Sequence, residues 1–226
     1  MTHERRLGCL VGPIVIADGI GRFNLHDDVW DGPQGSEPVA VVEHQAKSVL
    51  LVEKLNIFMG LMEDQFHLKN ACLLACGNGY PGRSFRRVLR QINDQLKVPF
   101  HVLADNDPAG YEIYFLVARG GAGRSKPNKS MAIRDASFIG LRAADILRLG
   151  IDESVQIKLN EFQVQHLYQL RKRPWLKSRP EWRREIDQSL ERETKVEIEA
   201  LITLGVSYLS GSYLPERLAA GEWLRM

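Results

Sequence analysis

Three carboxylates stand where an α/β chain can use them. Glu53 ends the apolar run SVLLVE, and Asp105 and Asp107 end FHVLADND. If these runs are neighbouring strands, their C-terminal ends bring the three acids to the edge where open α/β sheets bind ligands. Anions gathered there repel and raise one another's pKa values. A divalent cation removes that cost. An oxygen-only set suits Mg²⁺, which keeps several waters and needs one or two direct carboxylates. Asp-x-Asp-Pro by itself also reads as an Asx–Pro turn; the preceding Glu53 shifts the reading to a metal site. A phosphatase-type aspartyl nucleophile is a further use of Asp-x-Asp. That chemistry places the pair after a domain's first strand, whereas here it follows a third.

Basic residues cluster beside these acids. Arg83, Arg87 and Arg90 share a helical face by i, i+4, i+7 spacing, with Arg86 among them. The Gly-rich turn GNGYPG precedes that stretch, so a helix N-terminus offers a phosphate site there. GGAGRSKPNKS (120–130) adds Arg124, Lys126 and Lys129 but has no Gly-Lys-Ser/Thr at P-loop spacing. RKRPWLKSRPEWRR (171–184) interleaves basic residues with Trp175 and Trp182. It reads equally as a nucleic-acid surface or as a connection with tryptophans packed inward.

The elements that position these groups alternate in type. Strands are predicted at 11–18, 48–54, 71–76, 99–105, 136–140 and 155–159, and a polar loop at 24–37. Helices are predicted at 56–66, at 84–96 with Phe85, Val88, Leu89, Ile92 and Leu96 on one face, and at 109–117. Repeated strand–helix–strand units require crossovers and so imply a mainly parallel sheet flanked by helices. Residues 160–226 lack strand runs and read as a helical C-terminal extension. The segmentation is 1–47, a strand and loop segment packed on the next; 48–159, the α/β domain; and 160–226.

The order of motifs is informative. LLVEK, GNGYP, FRRVL and ADNDPAGYEI, followed by KVEIEAL (195–201) and YLPERL (213–218), resemble the Toprim domain of the A subunit of type IIB topoisomerase (topoisomerase VI) and its relative, the meiotic double-strand-break protein. That family shows VVEK, GKGYP, TRRFL, D-x-D-P-x-G-x-x-I, KAEIQAL and YLPEK in this order. The resemblance covers about residues 48–218 and implies a Rossmann-like Toprim fold. It makes Glu53 and Asp105 the leading Mg²⁺ ligands, with Asp107 direct or through water, and duplex DNA the partner. Asn78, Arg83, Arg86, Arg87, Arg90, Arg124 and Lys126 are the expected DNA contacts, positioning the backbone without reading sequence. Asn78 stands where the family has lysine. Glu112, one turn past the acidic loop, reads as a solvated helix face.

The family cuts DNA with a tyrosine carried by a winged-helix domain that precedes the Toprim domain. Only 47 residues precede Ser48, and none of Tyr80, Tyr111, Tyr114, Tyr168, Tyr208 and Tyr213 sits in such a pattern. Tyr80 and Tyr213 fall in motifs where packing or orientation is expected. The resemblance therefore implies a tyrosine supplied from outside these residues, a homodimer, and an ATP-binding B subunit as partner. The competing readings are a non-catalytic DNA-binding or assembly module and a Toprim nuclease that uses water.

Composition bounds the rest. The chain has 226 residues, 44% hydrophobic and 26% charged, and a formal net charge of +2. These are ordinary globular values, so disordered and fibrous classes are excluded, and only local charge clustering can argue for nucleic acid. No run approaches the ~20 apolar residues of a membrane helix. Three cysteines, Cys9, Cys72 and Cys76, are too few for a disulfide scaffold. On one strand Cys72 and Cys76 lie roughly 13 Å apart, beyond disulfide reach, and are expected in the core. The expected location is cytoplasmic and nucleoid-associated in a prokaryote, nuclear in a eukaryote.

Overall fold

The computed structural model describes residues 8–26, 28–32, 38–121 and 129–226. The chain divides into two compact units, Met1–Val102 with Phe115–Ala136, and Leu103–Tyr114 with Ser137–Met226. The sheet is mainly parallel and flanked by helices, the architecture of a Toprim α/β fold.

In the first unit the strand order is β1 (Cys9–Val11), β6 (Cys72–Cys76), β5 (Ser48–Val52), β7 (from Phe100). β5 and β6 pair in parallel, Ser48 opposite Cys72 through Val52 opposite Cys76. Every residue of both is buried, which is why they read as unbroken apolar runs without alternation. All three cysteines are buried thiols. α3 (Arg83–Leu96) leads from β6 toward β7 and buries Phe85, Val88, Leu89, Ile92 and Leu96. It ends at Lys97, whose φ of 54° gives a left-handed cap.

The run predicted as a strand over 11–18 is two strands in two sheets. It breaks at Gly12-Pro13. Gly12 has φ 151°, and a Cβ there would lie 2.7 Å from the Cys72 carbonyl oxygen. β1 joins the main sheet, while β2 (Ile14–Ala17) forms a separate sheet with β3 (Arg22–Asn24) and β4 (Ala40–His44). β4 carries no apolar alternation because nearly all of it is exposed. Its neighbourhood is fixed from α3, where Gln91 and Gln95 accept the Val39 and Val41 N–H groups at 3.2 and 2.8 Å. The helix predicted over 56–66 also breaks. α1 (Leu55–Glu63) stops before Gln65, whose φ is 55°, and α2 (Phe66–Lys69) follows in a new direction that buries Phe66.

In the second unit Ala104 continues from β7 (Phe100–Leu103) and pairs with β8 (Ser137–Gly140). The Ala104 N–H donates to Gly140 at 2.8 Å and the Leu141 N–H to Ala104 at 2.5 Å. β11 (Leu224–Arg225) closes the other side of β8 in antiparallel register. α4 (Pro108–Arg119) starts on a proline, the helix position that needs no N–H. Among the described residues, the other α-helices of this unit are α5 (Ala143–Arg148), α6 (Glu161–Arg171), α7 (Pro180–Arg192) and α8 (Leu214–Ala220). The strand predicted over 155–159 shrinks to β9 (Ile157–Lys158), which pairs only with β10 (Thr194–Lys195). Ile157 is exposed there and buries no sheet face. β10 and β11 are two residues each, too short to leave a periodic signal in a stretch that reads as helical.

The core of this unit is aromatic. Trp182 is fully buried, stacks on Tyr114 at 4.9 Å between ring centroids, and meets Tyr111 and Phe138 at 5.7 and 5.3 Å. Of the two readings of the Trp175–Trp182 stretch, inward packing holds for Trp182. Trp175 is half-buried beneath the Arg173 guanidinium. Tyr213 is buried, and its hydroxyl donates toward Ile139 O at 3.2 Å and Asp145 Oδ2 at 2.9 Å. It crosses over Gly140, where a Cβ would fall 1.9 Å from that hydroxyl. Tyr213→Phe removes a buried hydrogen bond to the Asp145 carboxylate, which keeps the Arg142 N–H at 3.0 Å, and is expected to lower stability by about 1–3 kcal/mol, measured as a shift in the urea midpoint at unchanged slope. No helix among the described residues is long and apolar enough to cross a membrane.

Candidate metal centre and nucleic-acid interface

The acidic loop runs from β7 into α4. Asp105, Asn106 and Asp107 are 4%, 0% and 9% exposed, which is unusual for a loop carrying two acids. Each aspartate has a backbone partner. Asp105 Oδ1 accepts the Ile198 N–H at 2.9 Å, and Asp107 Oδ1 accepts the Gly110 N–H at 2.7 Å. Asp107 thereby caps α4, so the turn reading of Asp-x-Asp-Pro is structurally real alongside any role with a cation. Gly110 is required. A Cβ there would approach the Asp105 carbonyl oxygen to 2.3 Å.

Asn106 is held by its own network. Its Nδ2 donates to Tyr111 Oη at 2.7 Å, Glu185 Oε1 at 3.1 Å and Leu141 O at 3.2 Å. Its Oδ1 accepts Arg192 Nη2 at 3.0 Å. Its backbone pairs with Val196 in an antiparallel bridge. Burial raises the pKa of Glu185 and lowers that of Arg192. The sequence reading missed Glu185 and Arg192. Nothing in the helix that bears them marks two of its many charges as internal. The only available signal was an amide between two candidate ligands.

Glu53 is half-buried at the end of β5. Its carbonyl accepts the Gly79 N–H at 2.8 Å and lies 3.7 Å from Cys76 Sγ, which joins it to the GNGYPG turn. Asn78 and Gly79 have φ of 51° and 90°. Asparagine is among the few side chains tolerated in the left-handed region, and Asn78 is exposed there. Among the described residues, no group of three or more His, Cys, Asp or Glu is gathered as a ligand set.

The four arginines of α3 have different surroundings. Arg83 and Arg87 are exposed. Arg86 is buried, with Nε donating to Pro81 O at 3.2 Å and Nη1 to Gly120 O at 3.1 Å. Desolvation, reinforced by Arg83, lowers its pKa. It ties two loops together within the first unit. Arg90 pairs with Asp94 at 2.6 Å and donates to Ala132 O at 2.5 Å. Arg124 and Lys126 lie outside the described residues. Glu112 departs from its sequence reading. It is 18% exposed and pairs with Arg173 at 2.5 Å and with His166 at 3.7 Å, so α4 turns this face toward α6 and its C-terminal end.

Residues 48–218 match the family described as the Toprim domain of the topoisomerase 6 A subunit and Spo11, and the chain belongs to that family. It is 32% identical over 98% of its length to the A subunit of type 2 DNA topoisomerase 6 from Hyperthermus butylicus, covering 60% of that protein. It is 28% identical over 96% of its length to the DNA topoisomerase 6 A subunit from Arabidopsis thaliana, covering 52%. It is 32% identical over 79% of its length to meiotic recombination protein SPO11 of Mus musculus, covering 46%. The chain thus spans about half to three fifths of the length of these relatives.

Proposed function

We propose that these residues form the Mg²⁺-dependent Toprim module of a protein resembling the type IIB topoisomerase A subunit, which binds duplex DNA and supports strand breakage and rejoining. The observation that carries the proposal is the acidic loop: two buried aspartates fixed by backbone N–H groups, in a chain of this family. The donor chemistry suits Mg²⁺, since a hard cation satisfied by one or two carboxylates and water needs no preassembled cage. Asp105 and Glu53 are the proposed ligands, with Asp107 direct or through water. Bound there, the ion would neutralise charge developing on a phosphate. The chain's own part is to hold the carboxylates in place and to receive the DNA backbone. The nucleophilic tyrosine is proposed to come from a winged-helix domain outside these residues. A homodimer and an ATP-binding B subunit complete the proposed assembly.

For the DNA face, Arg83 and Arg87 are the strongest candidates, followed by Arg90 and Asn78. Arg124 and Lys126 are proposed on sequence alone. Arg86 would act indirectly, by bracing the turn that leads into α3. The test is fluorescence anisotropy with a short duplex across a salt series. Arg83→Ala with Arg87→Ala is expected to lower the slope of log K against log salt by about 2, since each lost phosphate contact releases about one fewer counterion. The loss should be similar for unrelated sequences. An unchanged slope would show that these side chains do not meet the DNA backbone.

A further inference from the structure

We propose that Asn106, Glu185 and Arg192 form an internal clamp that sets the shape of the Asp105–Asp107 loop, with Asn106 a positioning residue rather than a ligand. The inference rests on the metal reading above and adds to it the residues that make the site competent.

The loop is held at every point. Asn106 is fully buried, and both ends of its amide are used, as donor to Tyr111, Leu141 and Glu185 and as acceptor from Arg192. Glu185 Oε1 also accepts the Ala143 N–H at 2.5 Å and the Tyr111 hydroxyl at 3.1 Å. Arg192 Nη1 reaches Ala143 O at 3.2 Å. Ser189, on the same helix as Glu185 and Arg192, lies 2.8 Å from the Tyr111 hydroxyl. The amide is therefore bracketed by a carboxyl group and a guanidinium, both carried by α7. The strand-like stretch just after α7 adds the backbone bridge from Val196 to Asn106 and the Ile198 N–H to Asp105. Residues far downstream in the chain thus grip each part of the acidic loop except Asp107, which α4 itself caps.

Such a network is a poor way to gain stability alone. Buried charged groups are often no better than apolar residues of the same volume, because desolvation offsets their attractions. What it supplies is a single geometry, since a half-satisfied network costs more than none. A weak carboxylate site for Mg²⁺ depends on such geometry. Groups one step removed from a metal typically alter its affinity by about 10–100-fold.

The test uses the 226-residue chain and Mn²⁺ as an EPR-visible substitute for Mg²⁺, with binding measured well below each variant's unfolding midpoint. Asn106→Ala is expected to weaken Mn²⁺ binding by about 10–100-fold. Tyr213→Phe, whose hydroxyl bonds Ile139 O and Asp145 rather than Asn106, Glu185 or Arg192, should lower the midpoint without changing affinity. If Asn106→Ala does not fold, Arg192→Lys, which keeps the charge but loses the fork, gives the same reading. Unchanged affinity in the folded clamp variant, or an equal loss in Tyr213→Phe, would overturn the clamp and leave the metal site standing. Absence of Mn²⁺ binding by the wild type would instead remove the metal reading and the clamp's purpose with it.

Discussion

Asp105→Asn is expected to fold like the wild type and to lose Mg²⁺ binding, whereas Asp105→Ala loses both the ion and stability. The difference follows from the two tasks of one carboxylate. Oδ1 accepts the Ile198 N–H at 2.9 Å in a buried setting. An asparagine oxygen can take over that bond but brings no charge to a hard cation. An alanine leaves the Ile198 N–H without its acceptor, at a cost of about 1–3 kcal/mol. Since groups beyond the ligands already change metal affinity by about 10–100-fold, removing the charge of a direct ligand should weaken Mg²⁺ by more than about 100-fold. Calorimetric titration with Mg²⁺ in the presence of a short duplex, beside thermal unfolding of the same samples, separates the two effects. Equal Mg²⁺ affinity in Asp105→Asn and wild type would remove Asp105 from the ligand set.

The second large effect is all-or-none. The 226 residues alone are expected to form no covalent link to supercoiled DNA with Mg²⁺. A nucleophilic phenol must reach in-line distance of a phosphate and give up its proton. Tyr111, Tyr114 and Tyr213 are buried, and in each desolvation raises the pKa, so they neither reach DNA nor ionise readily. Tyr111 and Tyr213 further spend their hydroxyls on internal partners. Tyr80 and Tyr168 are exposed and Tyr208 is half-buried, the first in the turn after β6, the second on the surface of α6 and the third ahead of α8, so none is carried by the acidic loop. The assay is plasmid incubation followed by denaturation with and without protease. A protease-sensitive adduct would falsify the expectation and direct attention to Tyr80, Tyr168 and Tyr208. Nicking without an adduct would favour a water-using nuclease.

Much of the framework was legible because local physics specified it. β5 and β6 are buried on both faces and so appear as continuous apolar runs, and α3 is amphipathic with its apolar residues at helical period. The motifs from LLVEK to YLPERL lie in one order along the chain, and the family match spans the same residues, 48–218. Asp105 and Asp107 could be singled out because a strand end is where an α/β sheet presents side chains to a ligand.

Other features were settled only by contacts distant in sequence. The Gly12-Pro13 break divides one apolar run between two sheets because the Gly12 backbone packs against Cys72. Arg86 shares its spacing with exposed arginines, yet carbonyls at Pro81 and Gly120 draw it inside. Glu112 occupies a helix face that pattern alone assigns to water, and α6 with the turn just beyond it supplies His166 and Arg173. Glu185 and Arg192 look like ordinary surface charges of a helix until α7 meets Asn106. Sequence singled out the candidate cation ligands, because residue type and strand position are local properties. Tertiary structure decided which charges are buried and paired, because that depends on what desolvates them, and the desolvating groups lie far along the chain.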